Sequence, residues 1–263
     1  MSKVAWDYVV PVKLPDDLKG VEPGKLPDSL LRPAVGGGKL HWIAAAAWAA
    51  MVEKAKADGV ELKPVSAGDT YRTFDSQLAV FKQRYQKEPI AGAQTRTFQG
   101  VKWYKKDPKL ASLAAPGSSQ HNLGIAVDVH TAAEPKRLKW LIDNVATFGF
   151  SWEVVPEEPW HLRYVKGSTP PPAVAEYMQK NNITPPPPGA ALEGQSDEDG
   201  KLGKGDKGPK VKELQTKLTA KGFACQITGD FTDDTVKAVN AFKKSLGLQE
   251  NGVCNNKVWK ALA

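Results

Sequence analysis

Residues 118–130 read SSQHNLGIAVDVH, an apolar run that carries two histidines and an aspartate. Groups of that kind resist burial unless something compensates them, and a bound metal ion is one such partner. In an extended strand, residues two apart share a face. Ala126, Asp128 and His130 then point one way, while Ile125, Val127 and Val129 point into the core. His121 precedes the strand, and the HNLG segment can curl it back toward Asp128. A third ligand has to come from elsewhere. The remaining histidines are His41 and His161, and His161 opens a second alternating segment in PEEPWHLRYV. Two neighbouring antiparallel strands would bring His121, Asp128 and His161 together. Two imidazoles and a carboxylate, with a fourth position left for water, suit a catalytic zinc rather than a closed structural site.

A catalytic zinc needs a base for its water. Glu158 stands three residues before His161 in EPWH and is the natural candidate, with Glu157 as the weaker neighbour. His130 could replace His121 as a ligand or support the ligands from behind, and is read as support or as a plain strand end. Taken singly, each residue has a bland reading: a lone histidine is more often a satisfied surface or core group, and a strand aspartate often accepts backbone hydrogen bonds. The case rests on their concentration in two strand-like segments of a chain with four histidines.

Working outward, KLHWIAAAAWAAMVEKAKADG reads as a long amphipathic helix stopped by Gly59. VELKPVSAGD reads as a strand leading into a second helix, YRTFDSQLAVFKQRYQ. PKRLKWLIDNVATFGF has apolar residues at 138, 141, 145 and 148, which is helical spacing. Helices followed by strand, helix and strand predict an α+β domain with a mainly antiparallel sheet and flanking helices. It is expected to span 1–167, with an N-terminal arm over about 1–34. Residues 168–200 hold two proline runs and an acidic, glycine-containing end, as expected of a stiffened linker with one short helical stretch.

Residues 201–263 predict a compact three-helix module. KGPKVKELQTKLTAKGF places Val211, Leu214 and Leu218 on one face and closes at Gly222. GDFTDDTVKAVNAF and GVCNNKVWKAL then resemble each other, an internal pseudo-repeat. Both cysteines, Cys225 and Cys254, fall in this module and are either a disulfide or two buried thiols. A domain this small gains from a bridge.

The chain has 263 residues, enough for one medium and one small domain. Charged residues make up 25% and hydrophobic residues 41%, which points away from a disordered or membrane-embedded chain. The longest apolar run, WIAAAAWAAMV, is about half of a bilayer crossing. The net charge is +7, and residues 201–263 are the most basic part per residue, with 12 Lys+Arg against 6 Asp+Glu. Such a surface suits a polyanion such as nucleic acid, an anionic membrane or a bacterial wall; solvated lysines serving solubility are the plain alternative. The N-terminus shows no basic stretch followed by an apolar one, so export without a signal peptide is the expectation.

The pattern Ser119, His121, Gly124, Ala126, Asp128, together with EPWHLRYV, resembles the VanY-like D-Ala-D-Ala carboxypeptidase branch of the LAS zinc peptidases. The likeness covers about residues 35–167. It implies zinc on His121, Asp128 and His161, with Glu158 as general base and acid. YRTFDSQ is similar to the family's Tyr-Arg-Ser segment ending in Gln. That implies Arg72 as the cation gripping a substrate carboxylate or the developing oxyanion, Gln77 nearby in the substrate-binding set, and Ser119 hydrogen-bonding substrate. Thr70 departs from the pattern, which usually has Gly before the Tyr. The basic, aromatic insert over 87–117 is expected to shape substrate choice.

The C-terminal module is similar to peptidoglycan-binding domains, through Gly208, Val211, Leu214 and Gln215, then Asp230 and Phe231, then Thr235, Ala238, Val239 and Phe242. Thr232 and Asn255 stand where glycines often follow the turns. Together the two likenesses imply a monomeric zinc peptidase that acts on bacterial peptidoglycan, not on nucleic acid, and has no transmembrane segment. The combination resembles a phage endolysin with D,D-type specificity, made in the host cytoplasm and released through a holin. The rival readings are an L-Ala-D-Glu endopeptidase, a host wall-remodelling D,D-carboxypeptidase and a non-catalytic wall-binding protein with a structural metal.

Overall fold

The computed structural model describes residues 8–186 and 201–262, in two compact units. The first reaches to Pro185 and is α+β, with every named strand pair antiparallel. β1 (Leu31–Pro33) and β2 (Lys39–His41) form a hairpin that leads straight into α1 (Trp42–Ala57). The expected helix is there and ends before Gly59, whose φ of 71° continues the chain in a left-handed turn. It is not amphipathic along its length. From Trp42 to Met51 nearly every residue is buried, and only the last turns expose lysines and Glu53. Alanine on most sides lets neighbours approach α1 closely, so it runs through the core. Trp48 meets Phe150 edge-on with centroids 6.3 Å apart, and Phe150 meets Tyr164 in the same way at 5.8 Å.

The strand expected over VELKPVSAGD is reduced to a single bridge, Pro64 to Val129, followed by a 3-10 turn at Ala67–Asp69. Proline has no N–H to extend a ladder, so pairing stops at its edge. α2 (Phe74–Arg84) starts at Thr73, whose hydroxyl accepts the Ser76 N–H at 3.2 Å. The insert after it is a small sheet in the order β3 (Tyr85–Gln86), β5 (Val101–Lys105), β4 (Thr95–Phe98). Phe81, Tyr85 and Trp103 form its own apolar cluster, with Phe81 stacked on Tyr85 at 4.7 Å.

The central sheet has the order β6 (Ala126–Asp128), β8 (His161–Tyr164), β7 (Phe150–Trp152). α3 (Pro135–Asn144) and a 3-10 turn over Val145–Phe148 connect β6 to β7 and bury Leu141, Val145 and Phe148. α4 (Pro172–Lys180) lies inside the segment expected as linker, but it packs on α1, with Val174 fully buried and Lys180 3.0 Å from Glu53. The first unit therefore runs past Gly167. The acidic end of that segment lies outside the described residues.

The second unit holds α5 (Pro209–Ala220), α6 (Asp233–Ser245) and α7 (Asn256–Leu262). Val211, Leu214 and Leu218 enter one core with Phe231, Val239, Phe242 and Val258. Both cysteines are free thiols: Cys254 sits in this core, and Cys225 is half-buried with its Sγ 3.9 Å from the Gln215 carbonyl. Burial pushes the Cys254 thiol up to about 12. The two pseudo-repeat turns each make one antiparallel bridge, Asp230 with Lys207 and Cys254 with Leu202. Gln215 stitches the first of them. Its amide donates to the Asp230 carbonyl and the Thr235 hydroxyl, and its oxygen accepts the Gly229 N–H, each at 2.9 Å.

Candidate metal centre

The register of the central sheet decides the site. Asp128 at the end of β6 lies directly opposite His161 at the start of β8. His161 Nδ1 is 2.8 Å from Asp128 Oδ1. His121 joins them from a 3-10 turn, Gln120–Leu123, that Ser119 caps by accepting the His121 N–H at 3.2 Å. The turn closes at Gly124, whose φ of 65° only glycine adopts without strain. A Cβ there would meet the His41 nitrogen at 2.8 Å, because the His41 N–H donates to the Gly124 carbonyl. His121 Nε2 consequently faces Asp128 Oδ2 at 3.4 Å.

These three residues fit a divalent cation. One ligand atom from each lies within 4.8 Å of the others. Tetrahedral ligands at about 2.1 Å from a zinc stand about 3.4 Å apart, so the observed spacing asks for little movement. The tautomer of His121 is also set. The Thr70 carbonyl 2.9 Å from its Nδ1 can only accept, so Nδ1 carries the proton and Nε2 keeps its lone pair toward Asp128. Thr70, the departure from the expected glycine, has a buried side chain that donates to the Ala67 carbonyl and accepts the Lys39 N–H. The substitution therefore leaves the supporting carbonyl in place. Burial works against charge on Asp128, but hydrogen bonds from His121 and His161 outweigh it and hold the carboxyl far below its ordinary range. Burial also opposes charge on His161, yet Asp128 and then Glu153 raise it to about 9.

A cleft of about 1030 Å³ opens over this cluster. Glu158 and Glu157 border it, as do Ser119 and Arg72. Glu158 is tied only through its backbone, by its N–H to the Val154 carbonyl and by its own carbonyl to the His161 N–H, both at 3.2 Å. Among the described residues its carboxylate makes no hydrogen bond or ion pair. Arg72 is fixed on every side: Nε donates to the Gly68 carbonyl at 2.9 Å, Nη1 to Gln77 at 3.0 Å and Nη2 to Asp69 at 3.1 Å. Gln77, expected near Arg72 in the substrate-binding set, lies behind it. It is 0% exposed and reaches the cleft only through Arg72, its amide anchored on the Ala114 carbonyl at 2.8 Å. His130 lies outside the cluster, exposed at the strand end and bonded to Thr131 at 3.2 Å. His41 is buried elsewhere, 3.1 Å from Asp17.

Sequence reasoning missed several contributors. Asn122 is fully buried and clamps the two loops, donating to the Arg72 carbonyl at 2.7 Å and accepting the Gly117 N–H at 3.2 Å. Asp69 and Glu153 also escaped notice, since a carboxylate in a loop carries no periodic signal. Arg84 from α2 and Arg96 from β4 also line the cleft. No pattern in the sequence marked them as lining the same cleft as the histidines.

With the geometry in place, comparison with known proteins assigns both units. The family described as VanY, D-alanyl-D-alanine carboxypeptidase, matches residues 37–167. Residues 37–167 are a VanY domain. A second family, the putative peptidoglycan binding domain, matches residues 207–262. A D-alanyl-D-alanine carboxypeptidase of Enterococcus faecalis is 30% identical over 131 residues, 44% of this chain and 44% of that protein. The putative carboxypeptidase YodJ of Bacillus subtilis is 29% identical over 160 residues, 54% of this chain and 50% of that protein. The chain thus aligns with half or less of the length of these curated relatives. Among solved structures, the vancomycin-resistance D,D-pentapeptidase VanY in complex with Zn(II) superposes with a TM-score of 0.40 at 22% identity, covering 67% of this chain and 96% of that one. The VanY domain holds all three candidate ligands, Glu158 and Arg72.

Proposed function

We propose that the VanY domain is a zinc-dependent peptidase acting on the stem peptides of bacterial peptidoglycan, with D,D-type specificity. One observation carries this reading: the Asp128–His161 register, completed by His121, makes a three-ligand cluster that faces a cleft bordered by an unpaired carboxylate. Relatives described as carboxypeptidases support it, and the adjoining peptidoglycan-binding unit supports the wall as substrate.

His121, Asp128 and His161 would hold the zinc. Bound there, zinc supplies a Lewis acid and lowers the pKa of a water ligand toward neutrality. Glu158 accepts the proton of the attacking water and passes it to the departing amine. Its lack of a partner leaves it free for both transfers. Arg72, immobilised by Gly68, Asp69 and Gln77, offers its charge either to the C-terminal carboxylate of the substrate or to the carbonyl oxygen as negative charge develops. The Asp69 carboxylate beside it offsets part of that charge, so Arg72 orients as much as it attracts. Ser119 spends one acceptor on the His121 N–H and keeps its O–H for substrate.

Joined to a wall-binding unit, such a domain suits a lytic, endolysin-type role, in which the bond cut lies inside the stem or its cross-link. Trimming of terminal D-Ala is the carboxypeptidase outcome. Mass spectrometry of muropeptides after digestion separates the two: free D-alanine marks trimming, and new internal amines mark endopeptidase cleavage. Glu158→Gln is expected to lose about 10²–10⁴-fold in kcat while retaining zinc. A Glu158→Gln enzyme as active as the parent would overturn the assignment.

A further inference from the structure

His161 offers its two ring nitrogens to two different carboxylates. Nδ1 faces Asp128 at 2.8 Å, inside the metal cluster, and Nε2 faces Glu153 Oε2 at 3.3 Å, on the other side of the ring. A ligating histidine works best when its second nitrogen donates to a fixed acceptor, which sets the tautomer and the ring plane. His121 has that acceptor in the Thr70 carbonyl. The fold gives His161 one as well. Trp152 ends β7 and pairs with Leu162 of β8, so the next residue, Glu153, leaves the sheet beside the start of β8. Its other oxygen, Oε1, lies 3.7 Å from Arg163 Nη1. Arg163 is itself anchored, Nη2 donating to the carbonyls of Trp152 at 2.6 Å and Val10 at 3.2 Å. Arg163 and His161 are two apart on β8 and share a face, so one carboxylate spans both.

We propose that Glu153 is a positioning residue of the metal centre, accepting the His161 Nε2–H so that Nδ1 keeps its lone pair for the ion, with Arg163 holding the carboxylate in register. The inference rests on the metallopeptidase reading above and adds to it a residue with no role in the chemistry itself. Glu153 borders the cleft but is spoken for by His161 and Arg163, whereas Glu158 is unpaired. The two acids therefore divide the work, one fixing a ligand and one moving protons. Its side chain is 44% exposed, so water competes for the contact and the expected effect is graded rather than total.

The test is zinc affinity of the purified full chain, by competition with a chromophoric chelator, for the parent, Glu153→Ala and Glu153→Gln. Cobalt(II) absorption spectra and metal-free melting temperatures are recorded on the same samples. Glu153→Ala is expected to bind zinc about 10–100-fold more weakly than the parent. Glu153→Gln should lose less, because its amide oxygen still accepts the His161 N–H. The cobalt bands should keep their positions in all three. Zinc affinity of both variants within twofold of the parent would overturn the proposal, and so would a changed cobalt coordination number, which would make Glu153 a ligand. A parent that binds no zinc at all would overturn the metallopeptidase reading itself, a result distinct from unchanged affinity in the variants.

Discussion

His161 carries more of this site than any other side chain. It is the cross-strand partner of Asp128, it faces Glu153 with its other nitrogen, and its backbone N–H closes the turn that presents Glu158. In the metal-free protein the two carboxylates raise it to about 9, from an ordinary 6.5. A group whose folded pKa is raised adds stability that is complete below its unfolded value and is lost as pH rises through the folded one. With chelator present, the melting temperature should therefore fall between about pH 6.5 and 9, and His161→Gln should flatten that slope. A parent whose metal-free melting temperature is level across this range would show that the ion pair does not form. The convergence of His121, Asp128 and His161 was legible because histidine is rare here and because strand alternation fixes which side chains share a face. That Gln77 supports Arg72 from behind was not legible, because spacing along a helix says that a residue is near Arg72, not whether it lies in front of it or behind.

At the scale of elements, the turn from Ser119 to Gly124 does the positioning. It is a 3-10 turn capped by a hydroxyl at one end and closed by a left-handed glycine at the other, and that glycine sits against β2. Gly124→Ala forces φ > 0 on a Cβ that would lie 2.8 Å from the His41 nitrogen. It should cost about 2–4 kcal/mol, measured by denaturant unfolding, and weaken zinc binding because His121 moves with the turn. Unchanged stability and zinc affinity would show that the turn is not what sets His121. Helices and the two site strands were readable from periodicity, and so was their antiparallel order. The strand over VELKPVSAGD failed because alternation does not register the proline that ends pairing. The β3–β5–β4 sheet was invisible for the opposite reason, since its core is three aromatic rings that pack on one another without a long alternating run.

For the whole molecule, the sequence separates two units whose cores are built independently, one around α1 and the central sheet, the other around α5, α6 and α7. No helix among the described residues is long and apolar enough to cross a membrane. The sequence left a disulfide and two buried thiols open; in the structure both cysteines are free, and Cys254 is packed inside the apolar core. Cys254 should stay unreactive toward thiol reagents in the folded chain and react only on unfolding, with Cys225 modified first. If the second unit serves to concentrate the first on its substrate, a chain ended at Pro185 should cut soluble stem peptides within about twofold of the full chain, yet digest intact sacculi at least ~10-fold more slowly. Equal rates on sacculi would remove the case for tethering.

The most direct test of the central claim is a crystal structure of the full chain grown with zinc and measured at the zinc absorption edge. One anomalous peak is expected about 2.0–2.2 Å from His121 Nε2, an Asp128 carboxylate oxygen and a ring nitrogen of His161. A peak bound elsewhere in the chain, or none at saturating zinc, would contradict it.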